Sequence, residues 1–181
     1  HELGHGWGLS HQWYALSVMN YAPKKFRAYN QLQVDDTMAI RAAYPYDVAR
    51  SDYGVFGYYA NGYRNYTDSG VNPTTVNAGS PVSVRNFVID NAGTNPVVPS
   101  IRWYLVPNIC SWTGSRYIGT TTHSSLARNS FFKTARTLTI PADTPAGSYY
   151  LGAWIQSDSV SNNNSTWIDR KITVVRAAQG A

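Results

Sequence analysis

Cysteine is almost missing from this 181-residue chain: Cys110 stands alone, so no internal disulfide can form and the fold must rest on packing and hydrogen bonds. Nothing beside Cys110 marks it as a nucleophile. No stretch approaches the ~18 consecutive apolar residues of a spanning helix, so the segment holds no membrane span. Charge is sparse as well, at 14% of residues, and the net +5 is spread out. Residues 1–50 carry five Lys or Arg against four Asp or Glu, and the remainder carries ten against six. The one basic cluster, Lys24, Lys25 and Arg27, has no basic helix or aromatic ladder beside it. It reads as a solvated loop, and nucleic acid is not expected as a partner. What the chain does have is apolar and aromatic content, 43% and 14%, which excludes a disordered or collagen-like polymer.

The most informative stretch is the first eleven residues, HELGHGWGLSH. On a helix, His1 and His5 lie four residues apart and project from one face, so both imidazoles can reach one metal ion. Glu2 lies roughly 100° round the helix from His1, placed to activate water. Gly8 can take a backbone conformation closed to other residues, letting the chain leave the helix and return His11 as a third ligand. Three neutral imidazoles leave one tetrahedral position open, which a catalytic zinc needs for its water. Five fixed positions of this kind arise by chance in such a chain with odds on the order of 1 in 100,000, so accident is a poor explanation. A processed N-terminal His1 could instead chelate copper through its amino group and ring, but that leaves Glu2, Gly8 and Met19 without a role.

The pattern HExxHxxGxxH, followed eight residues after His11 by Met19 within SVMNY, resembles the metzincin zinc metallopeptidases and their Met-turn. The resemblance implies a Zn2+ cofactor held by His1, His5 and His11, with Glu2 as general base and Met19 in the floor beneath the metal. The short step from His11 to Met19 and the segment VDDTMAIRAAYP resemble matrixins. Gln12 departs from the usual matrixin Ser, and Tyr21 stands where astacins and serralysins carry a Tyr that binds zinc and then the oxyanion. Tyr21 therefore has two readings, that role or packing within the turn. The loop around Trp13 to Leu16 is placed near the substrate subsites only by analogy. With no helical turn ahead of His1, residues 1–50 read as the C-terminal part of a catalytic domain, expected to be catalytically incomplete alone. Asp35 or Asp36 can cap a last helix through Met38, Ala39, Ala42 and Ala43, stopped at Tyr44-Pro45.

From Tyr53 the pattern changes to short alternating segments separated by Gly, Pro, Asn and Asp. Strands are expected near 53–60, 82–90, 100–106, 115–119, 131–140, 147–156 and 166–175, making a seven-stranded antiparallel β-sandwich of immunoglobulin type. Val82, Val84 and Val88 should share one face, as should Tyr149, Leu151, Ala153 and Ile155. The phrases NAGSPVSVRNFVIDNAGTNPVVPSIRWYLVPN, LTIPADTPAGSYYLGAWIQSD and SNNNSTW resemble the CARDB domain, an immunoglobulin-like module of bacterial surface and secreted proteins. The chain thus reads as mainly β, with a small α-helical metzincin remnant at 1–50, a CARDB-like sandwich at 51–176 and a tail at 177–181. Asn91, Gly93, Pro141, Pro145 and Gly147 read as turn residues. Tyr63, Tyr66 and Trp112 are either sugar-stacking loop aromatics or packing, and Asp158 with Asn162, Asn163 and Asn164 either a calcium site or a plain turn. The expected function is peptide-bond hydrolysis by a secreted or cell-surface bacterial enzyme on a protein or peptide substrate. The sandwich would serve adhesion or targeting, for instance to an anionic cell-surface polymer. The alternative is a non-catalytic adhesion or glycan- or protein-binding module.

Overall fold

The structure, a computed structural model, describes residues 2–10, 39–40, 49–57, 70–109, 111–158 and 164–176. After a short helix, α1 (Glu2–Gly6), the described chain is β: β1 (Tyr53–Gly57), β2 (Gly70–Asn72), β3 (Thr75–Asn77), β4 (Pro81–Asn91), β5 (Ser100–Val106), β6 (Arg116–Thr122), β7 (Ser130–Thr139), β8 (Gly147–Ile155) and β9 (Ser165–Val175). One sheet is built on the long β4, with β7 along one edge and β1 and β2 in succession along the other. The second sheet runs β3-β9-β8-β5-β6. Their inner faces share one core, in which Trp103 and Phe87 meet edge to face at 5.1 Å. Two antiparallel-built sheets closing over alternating apolar faces make this a β-sandwich.

The expected count of seven strands is not what is found: strands lie in each expected range, the first described only as Tyr53–Gly57, and β2 and β3 are additional, so the described residues hold nine. Each added strand has three residues, too few for an alternating pattern to stand out from a loop. The sandwich is also not wholly antiparallel. β3 pairs parallel with β9, Val76 opposite Val174, because the chain crosses from the β4 sheet to the edge of the other between Asn72 and Thr75.

The face assignment of β4 needs correction. Val82 and Val84 point into the core, but the register slips between Val84 and Phe87, where Val84 opposes Arg136 and Phe87 opposes Thr134. Two residues of β4 thus face one of β7, a bulge that reverses the alternation. Phe87 and Ile89 take the core positions, and Val88 is buried on the opposite face. β8 has no such slip after Leu151, so Leu151, Ala153 and Ile155 enter the core as their alternation requires, with Tyr149 packed at its edge.

Side-chain hydrogen bonds brace the sandwich. The Tyr149 hydroxyl donates to the Pro145 carbonyl at 3.1 Å, closing the corner between β7 and β8. Trp103 on β5 is fully buried, and its Nε1–H donates to Thr121 Oγ1 at 2.8 Å. Asn91 and Gly93 act as connectors. The Asn91 amide donates to the carbonyls of Asn95, Leu126 and Ala127, and its oxygen accepts from the Gly93 N–H. Arg50 already belongs to this end: its N–H donates to Thr94 Oγ1, its carbonyl accepts from the Thr94 N–H, and its guanidinium pairs with buried Asp52.

Candidate metal centre

α1 carries Glu2 at its start and His5 in its last turn. It stops through two hydrogen bonds that wrap its C-terminal end: Gly8 N–H to His5 C=O at 2.9 Å and Leu9 N–H to Gly4 C=O at 3.0 Å. That pairing is a Schellman motif, and it requires the residue at Gly8 to be left-handed. Gly8 has φ 82°, a conformation costly for any residue with a Cβ.

This turn also sets the chemistry of His5. It brings the Leu9 carbonyl to 2.8 Å from His5 Nδ1. A carbonyl can only accept, so Nδ1 carries the proton and the lone pair of the neutral ring lies on Nε2. Metal-binding histidines are commonly oriented in this way, by donating the other ring N–H to a carbonyl or carboxylate. The donor chemistry at His5 therefore fits a zinc ligand. Among the described residues no group of three His, Cys, Asp or Glu gathers around a point. His1, His11, Met19 and Tyr21 lie outside the described residues, and of Glu2 only the backbone is described, so the full ligand set is not assembled here. Lys24, Lys25, Arg27, Cys110, Tyr63 and Tyr66 also lie outside them, as does the expected last helix except for Ala39 and Ile40, which are helical.

Asp158 and Asn164 are employed as ties. Asp158 Oδ2 accepts from Tyr53 N–H at 2.6 Å, joining the end of β8 to β1, and the Asn164 amide donates to the Gln156 carbonyl at 2.9 Å. Asn162 and Asn163 fall outside the described residues.

Trp112 is not a free loop aromatic. It lies against Tyr104, Trp154 and Trp167, with ring centroids 5.4, 5.5 and 5.3 Å away. Strand register explains the cluster: Tyr117, Tyr104, Gly152 and Trp167 stand opposite one another across β6, β5, β8 and β9. Gly152 leaves a gap in that row, and the Trp112 ring fills it from the β5–β6 loop. A Cβ at Gly152 would sit 2.7 Å from the ring. Reasoning from the sequence singled out only Trp112 of this group. The available signal was that Tyr104, Trp154 and Trp167 occupy the outward phase of strands whose alternate residues are core.

No protein-family model and no curated protein matches the sequence. Solved structures with a similar chain course include the CARDB domain of a Pyrococcus furiosus protein in complex with di-metal ions. It is 17% identical over 73% of this chain and 100% of that one, with a TM-score of 0.42. A β-glucosidase from Listeria innocua in complex with glucose is 13% identical over 71% of this chain, which spans 17% of the glucosidase, with a TM-score of 0.42. A domain of a candidate cell-surface protein from Methanosarcina acetivorans is 15% identical over 61% of this chain and 90% of that one, with a TM-score of 0.36. None of these likenesses assigns an activity to the chain. Among the described residues no helix is long and apolar enough to cross a membrane.

Proposed function

We propose that this chain joins the zinc-binding end of a secreted or surface-held metzincin endopeptidase to a CARDB-like β-sandwich that targets it. The observation that supports the peptidase reading is the turn at Gly8, which leaves the His5 Nε2 lone pair open to a metal, inside the full HExxHxxGxxH pattern. His1, His5 and His11 would hold the ion, which when bound supplies a water of lowered pKa and polarises the scissile carbonyl. Glu2 takes the proton of the attacking water and delivers it to the departing amine. Tyr21 would donate to the oxyanion as it forms.

The test uses the protein with its complete catalytic domain, measuring bound zinc and cleavage of a quenched fluorescent peptide library. Glu2→Gln should retain about one zinc per chain and lose turnover by about 100-fold or more. Unchanged turnover removes Glu2 from the mechanism, and absence of zinc from the wild type removes the peptidase reading.

A second reading, a non-catalytic adhesion module, is favoured by a different observation. The described residues form a sandwich with its own closed core, and Arg50 is already tied into it. Surface or glycan binding by the complete protein, without peptide hydrolysis, would select this reading.

A further inference from the structure

The outward face of the five-stranded sheet carries a feature that peptide hydrolysis does not use. Beside the Trp112 cluster, a cavity of about 270 Å³ opens at the ends of β5 and β8, lined by Ser100, Arg102, Tyr104, Trp154, Gln156 and Ser157, with Ile155 behind. Arg102 and Trp154 are cross-strand partners, and Trp154 is 41% exposed. Its ring packs against that of Trp112 at 5.5 Å between centroids, and Trp112 is itself seated over Gly152. The polar wall is fixed too: Gln156 Oε1 accepts from the Ser100 N–H at 2.6 Å, and its amide donates to the Val98 carbonyl at 3.1 Å.

We propose that this cavity binds one sugar ring of an acidic, hexuronate-type polysaccharide. The C–H face of a pyranose carries slight positive charge and packs on the negative face of an indole, here that of Trp154. The volume lies just below the range of pockets that enclose a whole small ligand, about 300 Å³ and above, and so suits one residue of a longer chain. Charge decides the class of sugar. Arg102 is exposed, and among the described residues no carboxylate lines the cavity and the Arg102 guanidinium has no ion-pair or hydrogen-bond partner. Its planar fork matches a carboxylate bidentately. Single-stranded nucleic acid fits less well, because binding its backbone takes a track of cations, whereas the described lining of this cavity offers one. The preformed wall keeps the ordering cost of binding low.

This inference rests on the targeting role proposed for the sandwich and not on hydrolysis, so its readouts are kept separate from zinc content and peptide cleavage. The 181-residue chain is titrated with oligogalacturonate, oligoalginate, cellohexaose and oligo-dT, followed by tryptophan fluorescence and calorimetry. One of the two hexuronates should bind with a fluorescence change, at least 10-fold tighter than cellohexaose or oligo-dT. Trp154→Ala and Arg102→Gln should each weaken it by at least 10-fold, while Phe131→Ser, on an exposed position of β7, should leave it unchanged. Trp154→Leu, checked by far-UV circular dichroism, repeats the test with an apolar side chain retained. The proposal is overturned if neither hexuronate binds, if cellohexaose or oligo-dT binds as well or better, or if Arg102→Gln has no effect. It is equally overturned if the chain dimerises in sedimentation and Trp154→Ala abolishes the dimer, since the face would then be a self-interface.

Discussion

His123 should make the sandwich lose stability in mild acid. It lies just beyond β6, is 5% exposed, and meets Phe87 edge to face at 5.8 Å and Phe132 at 6.1 Å. Its Nε2 lies 3.1 Å from Thr121 Oγ1, while Nδ1 is buried without a partner. A second proton would put an N–H on both nitrogens, one of them facing no acceptor. Burial, and next the Arg136 guanidinium, push the imidazole down to about 4 from its ordinary 6.5. The folded state therefore stays neutral while the unfolded chain takes up a proton, so stability is full above pH 6.5 and falls as pH drops toward 4. Each pH unit in that window is worth up to ~1.4 kcal/mol, an upper bound of about 3.4 kcal/mol for the whole interval. Water relaxing around a charge near the end of a strand lowers this, and about 2 kcal/mol is expected at pH 4.5. With a urea slope of about 2 kcal/mol/M, the midpoint should fall by roughly 1 M between pH 7.5 and 4.5. His123→Phe keeps an aromatic ring and removes the titration, so its midpoint should fall much less over the same interval. Carboxylates titrate in both proteins and cancel in the comparison. Equal losses in wild type and variant would refute the reasoning, as would a histidine NMR titration with a midpoint near 6.5.

Tyr149→Phe deletes the hydroxyl that closes the β7–β8 corner and should cost about 1 kcal/mol in urea unfolding with the fold retained; no loss would show that the corner bond contributes nothing net. Asn91→Leu leaves the carbonyls of Asn95, Leu126 and Ala127 without its amide and should cost about 2 to 3 kcal/mol, read from the same curves. Under the peptidase reading proposed above, Tyr21→Phe in the full-length protein should lower turnover on the order of 10- to 1000-fold with little change in KM, provided the hydroxyl meets the oxyanion. An unchanged turnover would return Tyr21 to packing.

Both the helix exit at Gly8 and the strand pattern could be read directly from the chain, because each is local. Histidines four apart share a helix face, and a glycine at the helix exit takes the left-handed turn that Gly8 adopts, whatever surrounds them. Alternation likewise marked Leu151, Ala153 and Ile155 as core, since the side-chain period of a strand is 2. Tertiary structure decided the rest. The β4 bulge, which places Phe87 and Ile89 inward where the sequence period favours Val88, exists only in relation to β7. The parallel β3–β9 pair joins residues almost a hundred positions apart. The Leu9 carbonyl fixes the His5 tautomer only once the turn has folded. The cavity between Arg102 and Trp154 depends on β5 and β8 being neighbours and on Trp112 folding back over Gly152, whereas in sequence these are scattered aromatics and one arginine. Periodicity along a chain determines which way a side chain faces, but what it faces is set by pairings between distant segments, and such pairings leave no local trace.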